Sequence, residues 1–169
     1  MSASTMTTDE DFELVDGELI PIPSRNPRQA LVGERIEVAL RSNFDRHPIG
    51  RAFSGVDSQL SATTIRRPAT SIFLGDRIRS VDPRQSPVPF APDIAIEVLE
   101  PTDAFCAARR KTLQYLPADT QEVWLIDYDN AEIFIQTNDG IHLLRGETAL
   151  ESPLLPGFSA ALFNLLAPF

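Results

Sequence analysis

The stretch "PFAPDIAIEVLEPTDAF", residues 89–105, decides the fold. Its centre, Asp93-Ile94-Ala95-Ile96-Glu97-Val98-Leu99, carries apolar side chains on both faces, the pattern of a strand covered on both sides of its sheet. Glu97 interrupts that pattern. An ionised carboxylate in such a strand is expensive unless a cation or hydrogen-bond donors meet it. Strand side chains alternate, so Asp93, Ala95 and Glu97 share one face, and Ile94, Ile96 and Val98 the other.

Outward from this strand the order is regular. A helix is predicted from Asp103 to Leu116, with Thr102 or Asp103 as its cap, and "EVWLID" (122–127) is a second apolar run. Strand, helix and strand form a βαβ unit, so the two strands should be parallel neighbours joined by a right-handed crossover. Downstream, "EIFIQT" (132–137) and "IHLLRG" (141–146) follow through the turns "YDNA" and "NDG". The apolar end, "SPLLPGFSAALFNLLAPF", reads as an extended piece plus a short helix. Upstream, "FELVDGELIPIP" (12–23) is a hairpin signal with Asp16-Gly17 in the turn. Residues 26–44 read as a helix, with Asn26 to cap it, Pro27 in its first turn, and Leu31, Val32, Ile36, Ala39, Leu40 and Phe44 on its apolar side. Residues 51–60 and 66–74 suggest an antiparallel hairpin through "SATTI", and 75–92 a long surface loop. The expected fold is α+β: a mixed central sheet flanked by helices, in one domain over 11–169 behind a flexible tail, 1–10.

Composition limits the function classes. The chain has 169 residues, 43% hydrophobic and 23% charged, which suits a globular domain with a proper core. It contains no apolar run of the ~18 residues that a membrane helix needs. A polar, acidic start and a lone cysteine, Cys106, make the cytoplasm the expected compartment. The net charge of −9 argues against a protein that coats nucleic acid, though not against one that meets it through a local basic patch. Of the 15 basic residues, fourteen are arginine; the single lysine is Lys111.

That lysine falls about two turns into the helix after the Glu97 strand, where it can lean back over the strand's end. Two readings fit. A buried glutamate beside a lysine is often a satisfied ion pair. Alternatively, the carboxylate holds a hard divalent cation and the lysine steadies negative charge on water or phosphate. Lysine at this one position suits a compact point charge.

Five pieces in order carry a family resemblance: "FELVDGELIPIP", "IRRPATSIF", "APDIAIEVLEPTD", "KTLQYLPADTQEVWLIDYDNAEIFI" and "LLPGFSAALFNLLA". Together they resemble the PD-(D/E)XK restriction-endonuclease-like nucleases, and more closely the bacterial Uma-type endonucleases. The resemblance implies a restriction-endonuclease-like fold, hydrolysis of DNA phosphodiester bonds with Mg²⁺ or Mn²⁺, Glu97 as catalytic residue and metal ligand, and Lys111 as catalytic residue. Two positions depart from the family. Ala69 stands where an aspartate usually supplies a metal ligand. Pro27-Arg28-Gln29 stands where a histidine is common. A hairpin turning near Thr63 would set Asp57 across from Ala69 with Cβ atoms ~5 Å apart, so Asp57 is the expected substitute ligand; otherwise it is a solvated strand residue.

Other residues weigh less. Glu34 and Glu37 read as surface charges, Asp93 as fixing a turn, Cys106 as core packing, and Trp124 as packing beside the Glu97 strand. His47 and His142 suggest no shared metal. Arg66, Arg67, Arg77, Arg79 and Arg84 form either a phosphate-facing patch or a solvated loop. Two function readings follow: a metal-dependent DNA endonuclease impaired by Ala69, or a catalytically inactive binding or assembly module on the same fold. DNA is the expected partner, a homodimer through the apolar C-terminal segment the expected assembly, and no membrane is involved.

Overall fold

In the computed structural model, which describes residues 11–100 and 105–169, the chain opens with a hairpin of β1 (Phe12–Val15) and β2 (Glu18–Pro21). Asp16 and Gly17 turn it with φ of 51° and 86°, a backbone that an Asp-Gly pair adopts at little cost. Helix α1 (Pro27–Arg46) follows. The Asn26 side chain accepts from the Gln29 N–H, and the Gln29 side chain accepts from the Asn26 N–H, closing a capping box ahead of Pro27. The tail expected at 1–10 lies outside the described residues.

The two strands expected at 51–60 and 66–74 each break in two. They become β3 (Gly50–Ser54), β4 (Ser58–Ser61), β5 (Thr64–Arg66) and β6 (Thr70–Leu74). Gly55, at φ 62°, bends the first, and Pro68, with no N–H to give a ladder, interrupts the second. β4 and β5 leave to build a four-stranded sheet of order β2-β1-β5-β4. The pairing also corrects the expected register. Ser54 faces Thr70 and Ser58 faces Arg66, with the turn at Ala62-Thr63, so Asp57 is level with Arg67 and not with Ala69. The expected loop 75–92 begins with a short helix, α2 (Gly75–Ser80).

The βαβ unit forms as its pattern requires: β7 (Ile94–Val98), α3 (Phe105–Tyr115) and β8 (Glu122–Asp127), with β7 and β8 parallel. The caps expected at Thr102 and Asp103, and the side chain of Cys106, lie outside the described residues. β9 (Glu132–Thr137) and β10 (Gly140–Arg145) complete a mixed six-stranded sheet of order β10-β9-β8-β7-β6-β3. A small pair, β11 (Ala149–Leu150) and β12 (Ala160–Ala161), leads into α4 (Leu162–Leu166), the extended piece and short helix expected at the end.

The alternation along β7 separates two layers. Ile94 and Ile96, with Ile72, Trp124 and Ile126, pack under Val32, Ile36, Leu40 and Phe44 of α1 and against α4. Ala95, Val123 and Leu125 face Ala108 and Tyr115 of α3. Each fully buried isoleucine contributes about 1.5–3 kcal/mol relative to exposure. Trp124 is wholly buried and sits beside Ile96 in the register, as expected. Its indole donates to Glu122 at 2.8 Å. Among the described residues, no helix is long and apolar enough to cross a membrane.

Candidate active site

Glu97 projects from β7 on the α3 side, only 8% exposed. The Tyr115 hydroxyl donates to its Oε1 at 3.0 Å, and Lys111 Nζ to its Oε2 at 3.4 Å. Lys111 and Tyr115 are four residues apart on α3, one helical turn, so both point at the same strand position. The sequence placed Glu97 and Lys111 together, and the structure brings them together.

Glu13, from β1, completes the cluster and was not anticipated. It is 5% exposed, and its Oε2 lies 3.9 Å from Lys111 Nζ and 2.8 Å from the Arg66 guanidinium. Its Oε1 accepts from the Arg67 backbone N–H at 2.7 Å. Arg66 in turn donates to Gln114 on α3 at 2.8 Å. The only sequence signal was alternation in "FELV", which separates Glu13 from Phe12 and Leu14. Nothing local to that hairpin says that the small sheet folds over α3.

The electrostatics follow from burial. Desolvation pushes the Glu97 carboxyl above the usual range, opposed by the charge of Lys111 and reinforced by that of Glu13. Glu97 raises the Lys111 ammonium against the opposing effect of burial, so the lysine stays charged. Burial, with Glu97 close by, lifts the Tyr115 phenol well above 10, leaving it a neutral donor. Two carboxylates thus face two cations, Lys111 and Arg66.

The donor chemistry fits a hard divalent ion in kind. Two carboxylates already converge on one positive charge, and Mg²⁺ is commonly held by one or two carboxylates together with water and substrate phosphate. No group of three or more metal-ligating side chains occurs among the described residues. The fit is therefore to an ion completed by substrate, not to a closed protein cage.

The remaining candidates are placed as follows. Asp57 is held by Arg67 through two hydrogen bonds, of 2.8 and 3.1 Å, and these raise the Arg67 pKa further. Ala69 is buried; one step beyond the Thr70–Ile96 pair, the same register sets it beside Glu97. Glu37 accepts from Thr70 at 3.1 Å on the α1 side, and Glu34 is exposed. Asp93 accepts from the Leu74 N–H at 2.7 Å and from Gln121, and so fixes the start of β7. Of the five arginines read as a phosphate-facing patch or a solvated loop, Arg66, Arg67, Arg77 and Arg79 are each paired with an acid, and Arg84 is exposed. His47 and His142 are both exposed, on separate elements.

Comparison with known proteins fits this geometry. A crystal structure described as a "putative nuclease" from Anabaena variabilis superposes with a TM-score of 0.81 at 21% identity, covering 95% of this chain and 92% of that one. This similarity shows the restriction-endonuclease-like fold. No curated protein matches. A family described as "Putative restriction endonuclease" matches residues 2–164, nearly the whole sequence, and the chain therefore belongs to the Uma2 family.

Proposed function

We propose that the protein is a metal-dependent endonuclease that hydrolyses DNA phosphodiester bonds, acting as one domain over residues 11–169 in the cytoplasm. The observation that carries this reading is the Glu97–Lys111 contact at the end of a buried strand, at 3.4 Å. A desolvated carboxylate with a partly exposed ammonium beside it suits phosphate chemistry. Glu97 would hold Mg²⁺ or Mn²⁺, with Glu13 as the second carboxylate because it shares Lys111 with Glu97. Asp57, the ligand expected from the sequence, would join only after its Arg67 pair opens. The ion supplies charge stabilisation at a phosphoryl oxygen and acidifies water. Lys111, whose ammonium lies beside both carboxylates, would steady negative charge on the phosphate. Tyr115 holds Glu97 in place by donating to its inner oxygen.

A second reading, a catalytically inactive binding or assembly module, is favoured by one observation. Glu97, Glu13 and Asp57 each already have internal partners on both oxygens, and Ala69 adds no ligand. The proposed assembly in either case is a homodimer through the C-terminal segment, where Phe163 and Phe169 are exposed. The deciding experiment is a nicking assay on supercoiled plasmid with Mg²⁺, Mn²⁺ or EDTA, beside Glu97→Ala and Ala69→Asp. Metal-dependent nicking lost in Glu97→Ala supports the enzyme. Nicking found only in Ala69→Asp supports the inactive module.

A further inference from the structure

Several arginines are already committed, whereas Arg109 and Arg110, beside Lys111 on α3, are exposed. Arg66 and Arg67 are bound to acids. Arg28 donates to the backbone carbonyls of Leu166 and Ala167 and lies over the Tyr128 ring, and Arg35 donates to Leu165 and Ala167. Arg25 is different. It is exposed, and among the described residues its guanidinium has no carboxylate partner; its one contact is the Ala69 carbonyl, at 3.4 Å.

Its position matters more than its freedom. Residues 22–26 run from β2 to the start of α1, whose Gln29 donates to the Val98 carbonyl at the end of β7. This segment therefore crosses the end of the sheet at which Glu97 sits. Ala69 is one register step beyond the Thr70–Ile96 pair, so it lies beside Glu97, with Cβ atoms ~5 Å apart. Arg25 is thus docked one strand away from the carboxylate that holds Lys111. Between them, Ala69 offers a methyl group and no charge. Two cations with open donors, Arg25 and the partly exposed Lys111, border one rim; among the described residues its acids, Glu97 and Glu100, are held by Lys111 and Tyr115 and by Asn26, not by Arg25. In a chain of net charge −9, such a local pair is what draws a polyanion to one place. A guanidinium with one of its five donors used still has a fork for a phosphate.

We infer that Arg25 anchors a backbone phosphate of a nucleic-acid strand, next to the phosphate received at Lys111, and that it does so without metal. Arg25 is a positioning residue that sets the strand's path over Ala69. The inference rests on the proposed reading of the Glu97–Lys111 site as a phosphodiester site.

The test is anisotropy of labelled single-stranded and duplex oligonucleotides in EDTA, titrated with salt from about 50 mM upward. It compares wild type, Arg25→Gln, Arg25→Lys, Lys111→Gln and Arg145→Gln, with circular dichroism to confirm folding. Arg145 is on β10, at the far edge of the sheet. Arg25→Gln is expected to bind about tenfold more weakly, with a salt slope lower by about one. Arg25→Lys should keep the slope, and Arg145→Gln should bind as wild type. If Arg25→Gln binds normally while Lys111→Gln is weakened, the anchor is overturned and the site reading stands. Equal losses in Arg25→Gln and Arg145→Gln would reduce the effect to overall charge and also overturn the anchor. Absence of binding by wild type in EDTA would overturn the metal-free anchor, while the metal-dependent reading of the site is decided by the nicking assay.

Discussion

Glu13 and Glu97, from two different sheets, share a single counter-ion: their Oε2 atoms lie 3.9 and 3.4 Å from Lys111 Nζ. Each carboxylate raises the proton affinity of that lysine, and Glu13 also pushes the Glu97 carboxyl upward. The cluster therefore stays closed only while the ammonium remains between the acids.

This relationship makes the second metal ligand testable. Glu97→Gln and Glu13→Gln are each expected to weaken Mn²⁺ binding by about tenfold or more, as read by calorimetry. Asp57→Ala should leave affinity unchanged, because Arg67 already occupies that carboxylate. A loss in Asp57→Ala matching that in Glu97→Gln would instead make Asp57 the ligand.

Ala69→Asp should put a third carboxylate beside Glu97, one step past the Thr70–Ile96 pair. Without metal it adds like charge to a desolvated site, and the expected cost is about 1–3 kcal/mol in a denaturant titration. With Mn²⁺ the order should reverse, the variant gaining more stability from metal than the wild type. Equal metal stabilisation in both would show that position 69 does not face the ion.

The upward shift of Glu97 sets a pH dependence. The folded state keeps this proton at a pH where the unfolded chain has released it. Its contribution to stability is present below the ordinary carboxylate range and is lost as pH rises through the folded value. The stability of wild type relative to Glu97→Gln should therefore fall from about pH 4 towards neutrality. A difference that stays flat over that range would mean that Lys111 cancels the burial penalty entirely.

Trp124 offers a structural control away from the chemistry. Its indole N–H satisfies a buried oxygen of Glu122, whose other oxygen accepts from Ser152 at 2.9 Å. Trp124→Phe should cost about 1–3 kcal/mol in chemical denaturation, because it leaves a buried acceptor unpaired. Oligonucleotide binding of the folded variant should be unchanged.

Much of the site was legible because its key signal is local. A glutamate inside "DIAIEVL" contradicts its own strand, and the helix that answers it is the next element in the chain. The βαβ order and the Asn26 cap are local for the same reason. The hairpin 51–74 was misread because its register depends on where two strands bend. Gly55 and Pro68 mark the bends, but the parting of the halves into separate sheets is a tertiary outcome. Moving the turn by one residue displaced Asp57 from Ala69 to Arg67. Glu13 was missed for a similar reason. Its partners, Arg66 and Lys111, lie far along the chain, and an acidic residue in a short hairpin carries no mark of burial.

The small sheet reaches Lys111 through Glu13. β1 and β2 are moored to the rest of that sheet through the Leu14–Ile65 pair, the Gly17 N–H on the Thr63 carbonyl at 2.9 Å, and the side-chain bonds of Asp16 to Thr64 and of Glu13 to Arg66. Every residue of β2 is exposed, so little apolar burial holds it down. Segments fastened in this way open at lower cost than a core strand such as β7. Each opening would carry Glu13 off and leave Glu97 as the sole acid on the lysine. Amide exchange in β1 should thus report how often the ammonium is uncovered, a clock on the site that can be read without any substrate.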